Sequence, residues 1–104
     1  MSEMKIACHN CKKEFSTEKD KKGGISIMKG GDEYIYSYFY CKHCNSYTVE
    51  EYIDEFITED THINSFSKDK KTAEEDIKMI KKCPDAFNKK CKCDVHIKYF
   101  CSYT

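Results

Sequence analysis

Arginine, leucine, glutamine and tryptophan are missing from this sequence altogether, and proline occurs once, as Pro84. Arg supplies most bidentate contacts to phosphates and base edges, so its absence argues against nucleic-acid recognition even with 18 lysines present. The missing Leu and Gln, beside abundant Lys, Ile, Tyr and Asp, fit an AT-rich coding sequence. Glycine is limited to Gly23-Gly24 and Gly30-Gly31, which leaves no glycine-rich phosphate loop. No apolar run approaches the roughly 20 residues of a membrane helix, and residues 1–10 carry no stretch of signal-sequence length. A cytoplasmic protein with no membrane role is expected.

Catalytic signatures are also lacking. None of His9, His43, His62 and His96 stands in an H-x-E or H-E-x-x-H arrangement, which removes the deaminase and metalloprotease patterns. No thioredoxin-like βαβ setting surrounds any cysteine pair. The chain is therefore expected not to be an enzyme.

What is present is cysteine. The 104 residues are 39% hydrophobic against 35% charged, with eight cysteines. So thin a core needs a supplement. The cysteines fall in two groups, from Cys8 to Cys44 and from Cys83 to Cys101. In a reducing compartment C-x-x-C pairs read as metal-binding, whereas secreted chains use them for disulfides. The formal charge is zero; a Cys₄ site and a Cys₃His site, each with a divalent ion, would bring it to about −3.

Cys8-His9-Asn10-Cys11 and Cys41-Lys42-His43-Cys44 form two C-x-x-C pairs. Each such pair curls into a knuckle offering two sulfurs, and two knuckles complete one tetrahedral thiolate site. Four cysteines close that site to substrate. Ile6 and Phe15 flank the first knuckle, and Lys12 and Lys13 either offset its charge or are simply solvated.

Residues 16–24 are polar and glycine-ended and read as a loop. Then Ile25 to Met28, a Gly30-Gly31-Asp32 turn and the run Tyr34 to Tyr40 give a clear hairpin pattern. Alternation places Tyr34, Tyr36, Tyr38 and Tyr40 on one face and delivers Cys41 from the other. The tyrosines are either a partner-binding ladder or core in a chain without Leu. Residues 47–57 fit a third strand or a helical face of Val49, Tyr52, Ile53, Phe56 and Ile57; ribbon topology favours the strand. Residues 58–71 are polar and read as a connection, in which His62 stands alone as a surface residue. A capping box at Thr72-Ala73-Glu74-Glu75 opens a helix that Cys83-Pro84 ends.

After this helix Cys83, Cys91, Cys93 and His96 fall close together, a Cys₃His set suited to structural zinc. Cys91 and Cys93 point to one side of an extended segment, and a turn at Asp94-Val95 returns His96 to them. Cys101 is the rival fourth ligand. The alternative is buried thiols with no second metal.

With two knuckles, a hairpin between them and Cys41 at a strand end, residues 6–57 resemble a zinc ribbon of the rubredoxin-like class. The Cys11-to-Cys41 gap is similar to that of rubredoxins, which bind one iron at four cysteines and carry electrons. The resemblance implies Cys8, Cys11, Cys41 and Cys44 as ligands. Rubredoxins usually have Gly after each second knuckle cysteine, whereas Lys12 and Asn45 stand there in this sequence.

The expectation is thus one α+β domain over residues 1–104. A zinc-ribbon-like antiparallel sheet occupies 6–57, and one C-terminal helix with the second Cys/His cluster occupies 58–104. Two zinc ions are expected. The function expected is a protein-interaction module in a regulatory, adaptor or inhibitor role. The alternatives are a nucleic-acid-binding ribbon, supported by the lysine runs at 19–22, 68–71 and 89–92, and an iron electron carrier.

Overall fold

Two glycines set the first hairpin. Lys29 pairs with Asp32 across a two-residue turn in which Gly30 and Gly31 have φ of 61° and 92°. A tight hairpin whose twist matches its strands requires positive φ at both turn positions. The computed structural model describes residues 6–102, except the side chains of residues 17 and 18. Residues 1–5 and 103–104 of the expected domain lie outside that range.

From this turn grows a four-stranded antiparallel sheet in simple meander order: β1 (Lys21–Lys29), β2 (Asp32–Cys41), β3 (Ser46–Asp54) and β4 (Thr61–Asp69). A helical turn α1 (Thr17–Asp20) precedes it and helix α2 (Lys70–Lys81) follows. Within the described residues, α2 is followed by a loop and a π-helical turn over Val95–Tyr99.

Four segments differ from the sequence reading. Residues 16–24, expected as a loop, hold α1 and the start of β1, because Ser16 caps the turn by accepting from Lys19 N–H. Residues 47–57 are strand only as far as Asp54, which leaves Phe56 and Ile57 in the β3–β4 turn. Residues 58–71, expected as a connection, hold the whole of β4. Its two apolar residues, Ile63 and Phe66, are three apart and so lie on opposite faces, showing no alternation. The strand forms nonetheless because the open edge of β3 supplies backbone partners along its length. Finally, α2 starts at Lys70 with Asp69 as its cap, accepting from both Thr72 N–H and Thr72 Oγ1 at 3.0 Å. The expected cap at Thr72 is displaced because Asp is the stronger acceptor for the orphan amides.

The tyrosine alternation is as expected, and the face is covered. Register places Ile25, Ile27, Tyr34, Tyr36, Tyr38, Tyr40, Tyr47 and Val49 together. Helix α2 lies over them with Ala73, Ile77 and Ile80, spaced to share one stripe. Gly23 permits this approach, since a Cβ there would meet Ile77 at 3.2 Å. Tyr38 is core, and Tyr34, Tyr36 and Tyr40 are partly buried against it.

One acid sits inside that stripe. Asp76, 5% exposed, accepts from Tyr38 OH at 2.9 Å and Tyr99 OH at 2.6 Å and is ion-paired to Lys68. Burial, with the Asp76 carboxylate adding to it, pushes the Tyr38 phenol well up. The hydrogen bond to Asp76 pushes Tyr99 up to about 12. Both phenols therefore stay donors, and the network joins β2, β4, α2 and the C-terminal turn. Asp76→Ala strands the buried Tyr38 hydroxyl and the half-buried Lys68 ammonium, while the Tyr99 hydroxyl is on an exposed residue, so a loss of about 2 kcal/mol is expected in denaturant unfolding. A change below about 1 kcal/mol would show that the network contributes little.

Candidate metal centres

Two turns bring the first four cysteines together. Cys8 and Cys11 ride a small hairpin closed by Cys8 N–H to Lys13 O (2.8 Å), Lys12 N–H to Cys8 O (2.9 Å) and Phe15 N–H to Ile6 O (2.8 Å). Cys41 ends β2 and Cys44 lies in the turn into β3. His9 N–H donates to Thr48 Oγ1 (2.9 Å) and Asn10 Nδ2 to Ser46 Oγ (3.0 Å), fastening one knuckle to the strand that leaves the other. Phe15 stacks on Phe39 at 5.3 Å, filling the space below.

The residues after each second cysteine keep the conformation that glycine would give. Lys12 has φ 68° and Asn45 has φ 53°, a left-handed geometry costing roughly 1–2 kcal/mol outside glycine. Asn45 is held there by Tyr40 OH, which donates to its Oδ1 at 2.7 Å. Lys12 Nζ donates to His9 O at 3.2 Å. Both knuckles thus hold a left-handed residue after the second cysteine without glycine.

The four sulfurs all lie within 4.8 Å of one another. Cys8 Sγ is 3.8 Å from Cys44 Sγ, and Cys11 Sγ is 3.7 Å from Cys41 Sγ. Tetrahedral bonds of about 2.3 Å separate ligand sulfurs by about 3.8 Å. These edges have the size of a site for one metal ion, and the thiols are free.

The second cluster is built at the sheet's other margin. Cys83 follows the end of α2, its N–H bonded to Ile80 O at 3.0 Å. A loop returns Cys91 and Cys93, and the π-helical turn adds His96, which is 0% exposed. Cys83 Sγ lies 3.7 Å from Cys91 Sγ and 3.4 Å from Cys93 Sγ. The imidazole Nδ1 lies 3.4 Å from Cys83 Sγ and 3.5 Å from Cys93 Sγ. His96 Nε2 is 2.9 Å from Ser26 O. A carbonyl can only accept, so Nε2 carries the proton and Nδ1 turns its lone pair to the sulfurs, the orientation that a metal-ligating His takes from an outer partner.

Each cluster holds one acidic and one reluctant thiol. Burial raises Cys8, but N–H groups of Cys11 and Asn10 outweigh it and bring it to about 6. Burial and the neighbouring thiols push Cys44 up to about 12. Cys93 and Cys83 repeat the pair: burial on Cys93 is outweighed by His96 N–H, giving about 6, while burial pushes Cys83 up to about 12. Cys8 and Cys93 thus favour the thiolate, while Cys44 and Cys83 resist it, chiefly because burial disfavours the charged form. A divalent cation removes that penalty and would be bound with release of protons.

All eight expected ligand residues, Cys8, Cys11, Cys41, Cys44, Cys83, Cys91, Cys93 and His96, fall into these two clusters, either of which could hold a metal ion. Cys101 joins neither; it is exposed, with φ 59°. His62 is a surface residue, 3.2 Å from Glu55. The carbonyl of Ser26 was invisible to sequence reasoning, because a backbone group leaves no compositional signal. An ion held by four protein atoms keeps no open position for substrate. No helix among the described residues is long and apolar enough to cross a membrane.

The chain matches no protein-family model, no curated protein and no solved structure.

Between the rival fourth ligands, competition with a chromophoric chelator decides. For whichever divalent ion the clusters hold, His96→Ala is expected to weaken binding at one of the two clusters by more than the roughly 100-fold that outer-shell changes cost, and Cys101→Ser to leave both unchanged. The reverse pattern would transfer the ligand role to Cys101.

Proposed function

We propose that this chain is a non-catalytic, zinc-binding protein-interaction module, regulatory, adaptor or inhibitory in role, working in a reducing cytoplasm. Two zinc ions would act as fasteners, the first at Cys8, Cys11, Cys41 and Cys44 and the second at Cys83, Cys91, Cys93 and His96. The observation that carries the interaction role is the β3–β4 turn. Phe56 and Ile57 are 77% and 89% exposed there, side by side. Asp54, Glu55, Glu59 and Asp60 surround them in sequence, and no lysine occurs anywhere in residues 43–67. Two apolar side chains in an acidic collar suit an apolar pocket with a basic rim on a partner protein. The tyrosine face, covered by α2, does not serve this purpose.

Nucleic-acid binding is the second reading and is less well supported. Several lysines are engaged within the chain: Lys68 pairs with Asp76 and Lys89 with Glu33, while Lys21 and Lys70 lie over the rings of Phe87 and Tyr40. The acidic hairpin would oppose a polyanion.

Affinity purification from native extract tests the leading reading with wild-type and Phe56→Ser/Ile57→Ser baits. Both side chains are exposed, so the variant is expected to fold and to lose at least one protein that wild type retains. Identical retained sets would count against the hairpin. Binding of the wild type to mixed DNA and RNA at low salt, weakening steeply as salt rises, would favour the second reading instead.

A further inference from the structure

The sheet treats its two edges differently. Along β1 the outward backbone groups are covered: Ser26 N–H donates to Ala86 O (2.9 Å), His96 Nε2 to Ser26 O (2.9 Å), and Met28 N–H to Ser102 Oγ (3.0 Å). Along β4, among the described residues, the backbone is paired with β3 alone. An edge strand with a free ladder invites another strand unless lysine, proline, a bulge or a covering segment blunts it.

Among the described residues, no proline, bulge or hydrogen-bonded segment protects β4; its one lysine, Lys68, is turned to Asp76, and the first knuckle approaches only Ile63 to Ser65. The register of β4 with β3 runs without a break from Thr61 to Asp69. Residues 61–67 contain no lysine, acid or proline. Every residue from Thr61 to Ser67 is exposed, including Ile63 at 43% and Phe66 at 38%. Nine residues is ample length for a ladder.

Charge selects the occupant. Glu55, Glu59 and Asp60 precede the strand, and Lys70 and Lys71 follow it. Antiparallel pairing of two copies about a two-fold axis at Ser65 sets Thr61 of one opposite Asp69 of the other. The Glu59-Asp60 end of each copy then meets the Lys70-Lys71 end of its mate, twice over. Parallel pairing would set acid beside acid. The pattern is self-complementary in the way an isologous interface requires.

We propose that β4 is a dimerisation edge: two copies of this chain join antiparallel through β4, extending the four-stranded sheet to eight strands. The interface covers Ile63 and Phe66 on opposite faces and places four charge contacts at its rims. It goes beyond the proposed partner-binding hairpin, sharing Glu59 and Asp60 with that acidic collar but using neither Phe56 nor Ile57. A strand-pair contact is small, so the dimer is in equilibrium with monomer.

Sedimentation velocity on the purified full chain, over a concentration series, reads this directly. The expected result is a species moving from the 12.3 kDa chain mass towards twice that value. Lys70→Glu/Lys71→Glu is expected to raise the dissociation constant at least about tenfold, and adding Glu59→Lys/Asp60→Lys is expected to restore it. Ile63→Lys, which places a gatekeeper charge on the edge itself, should give monomer. Circular dichroism confirms the fold of each variant. A single 12.3 kDa species at every concentration overturns the proposal, as it would if the edge serves a foreign strand. So does a dimer indifferent to Ile63→Lys and charge reversal, or one that reversal weakens and the double reversal fails to restore.

Discussion

A buried imidazole joins the segment after α2 to the first strand of the sheet. His96 presents Nδ1 to the sulfurs of Cys83 and Cys93 and Nε2 to the carbonyl of Ser26, seventy residues away in β1. The segment after α2 is anchored there and, further along, by Tyr99 OH donating to Asp76. The loop from Cys83 to Cys93 has little apolar surface of its own, yet it lays Ala86 and Phe87 along β1 and sends Lys89 to Glu33. The Ser102 hydroxyl closes the same edge beside it. Without a fastener at this cluster, few contacts would offset the entropy of ordering such a segment.

The two clusters divide the work of a thin core. The first closes the end of the sheet where β2 passes into β3, and the second closes its β1 edge. Between them α2 covers the tyrosine face, and the Asp76 network adds polar links where a chain without leucine has limited apolar volume to spend. Local strain at Lys12 and Asn45 is tolerated because both knuckles are held by several hydrogen bonds and by the stacked Phe15 and Phe39. If the clusters bind metal, their free energy is folding free energy, since no such site exists in the unfolded chain.

The parts legible in the sequence were those whose chemistry is local. Spacing alone identified the eight residues that come together in the two clusters. The Gly-Gly turn and period-two tyrosines marked the first hairpin, and periodicity marked α2. What escaped was decided by partners distant in sequence. β4 lacks an apolar face and exists because β3 offers an edge, so no period within residues 61–69 announces it. Helix α2 begins earlier than its capping box suggests because Asp69, the last strand residue, supplies the better acceptor. The fate of the tyrosines turned on whether α2 packs above them, which alternation cannot say. For the second cluster, spacing favoured His96 over Cys101, since His96 lies three residues from Cys93, and the structure brings His96 Nδ1 to the sulfurs while its Nε2 faces the Ser26 carbonyl.

Native mass spectrometry of the purified chain tests most directly whether both clusters are metal fasteners. Two zinc ions per chain are expected, with all eight cysteines unbridged. One ion would remove the second fastener and with it the role given to His96. A metal-free chain, iron in place of zinc, or a mass deficit from disulfides would contradict the reading of both centres.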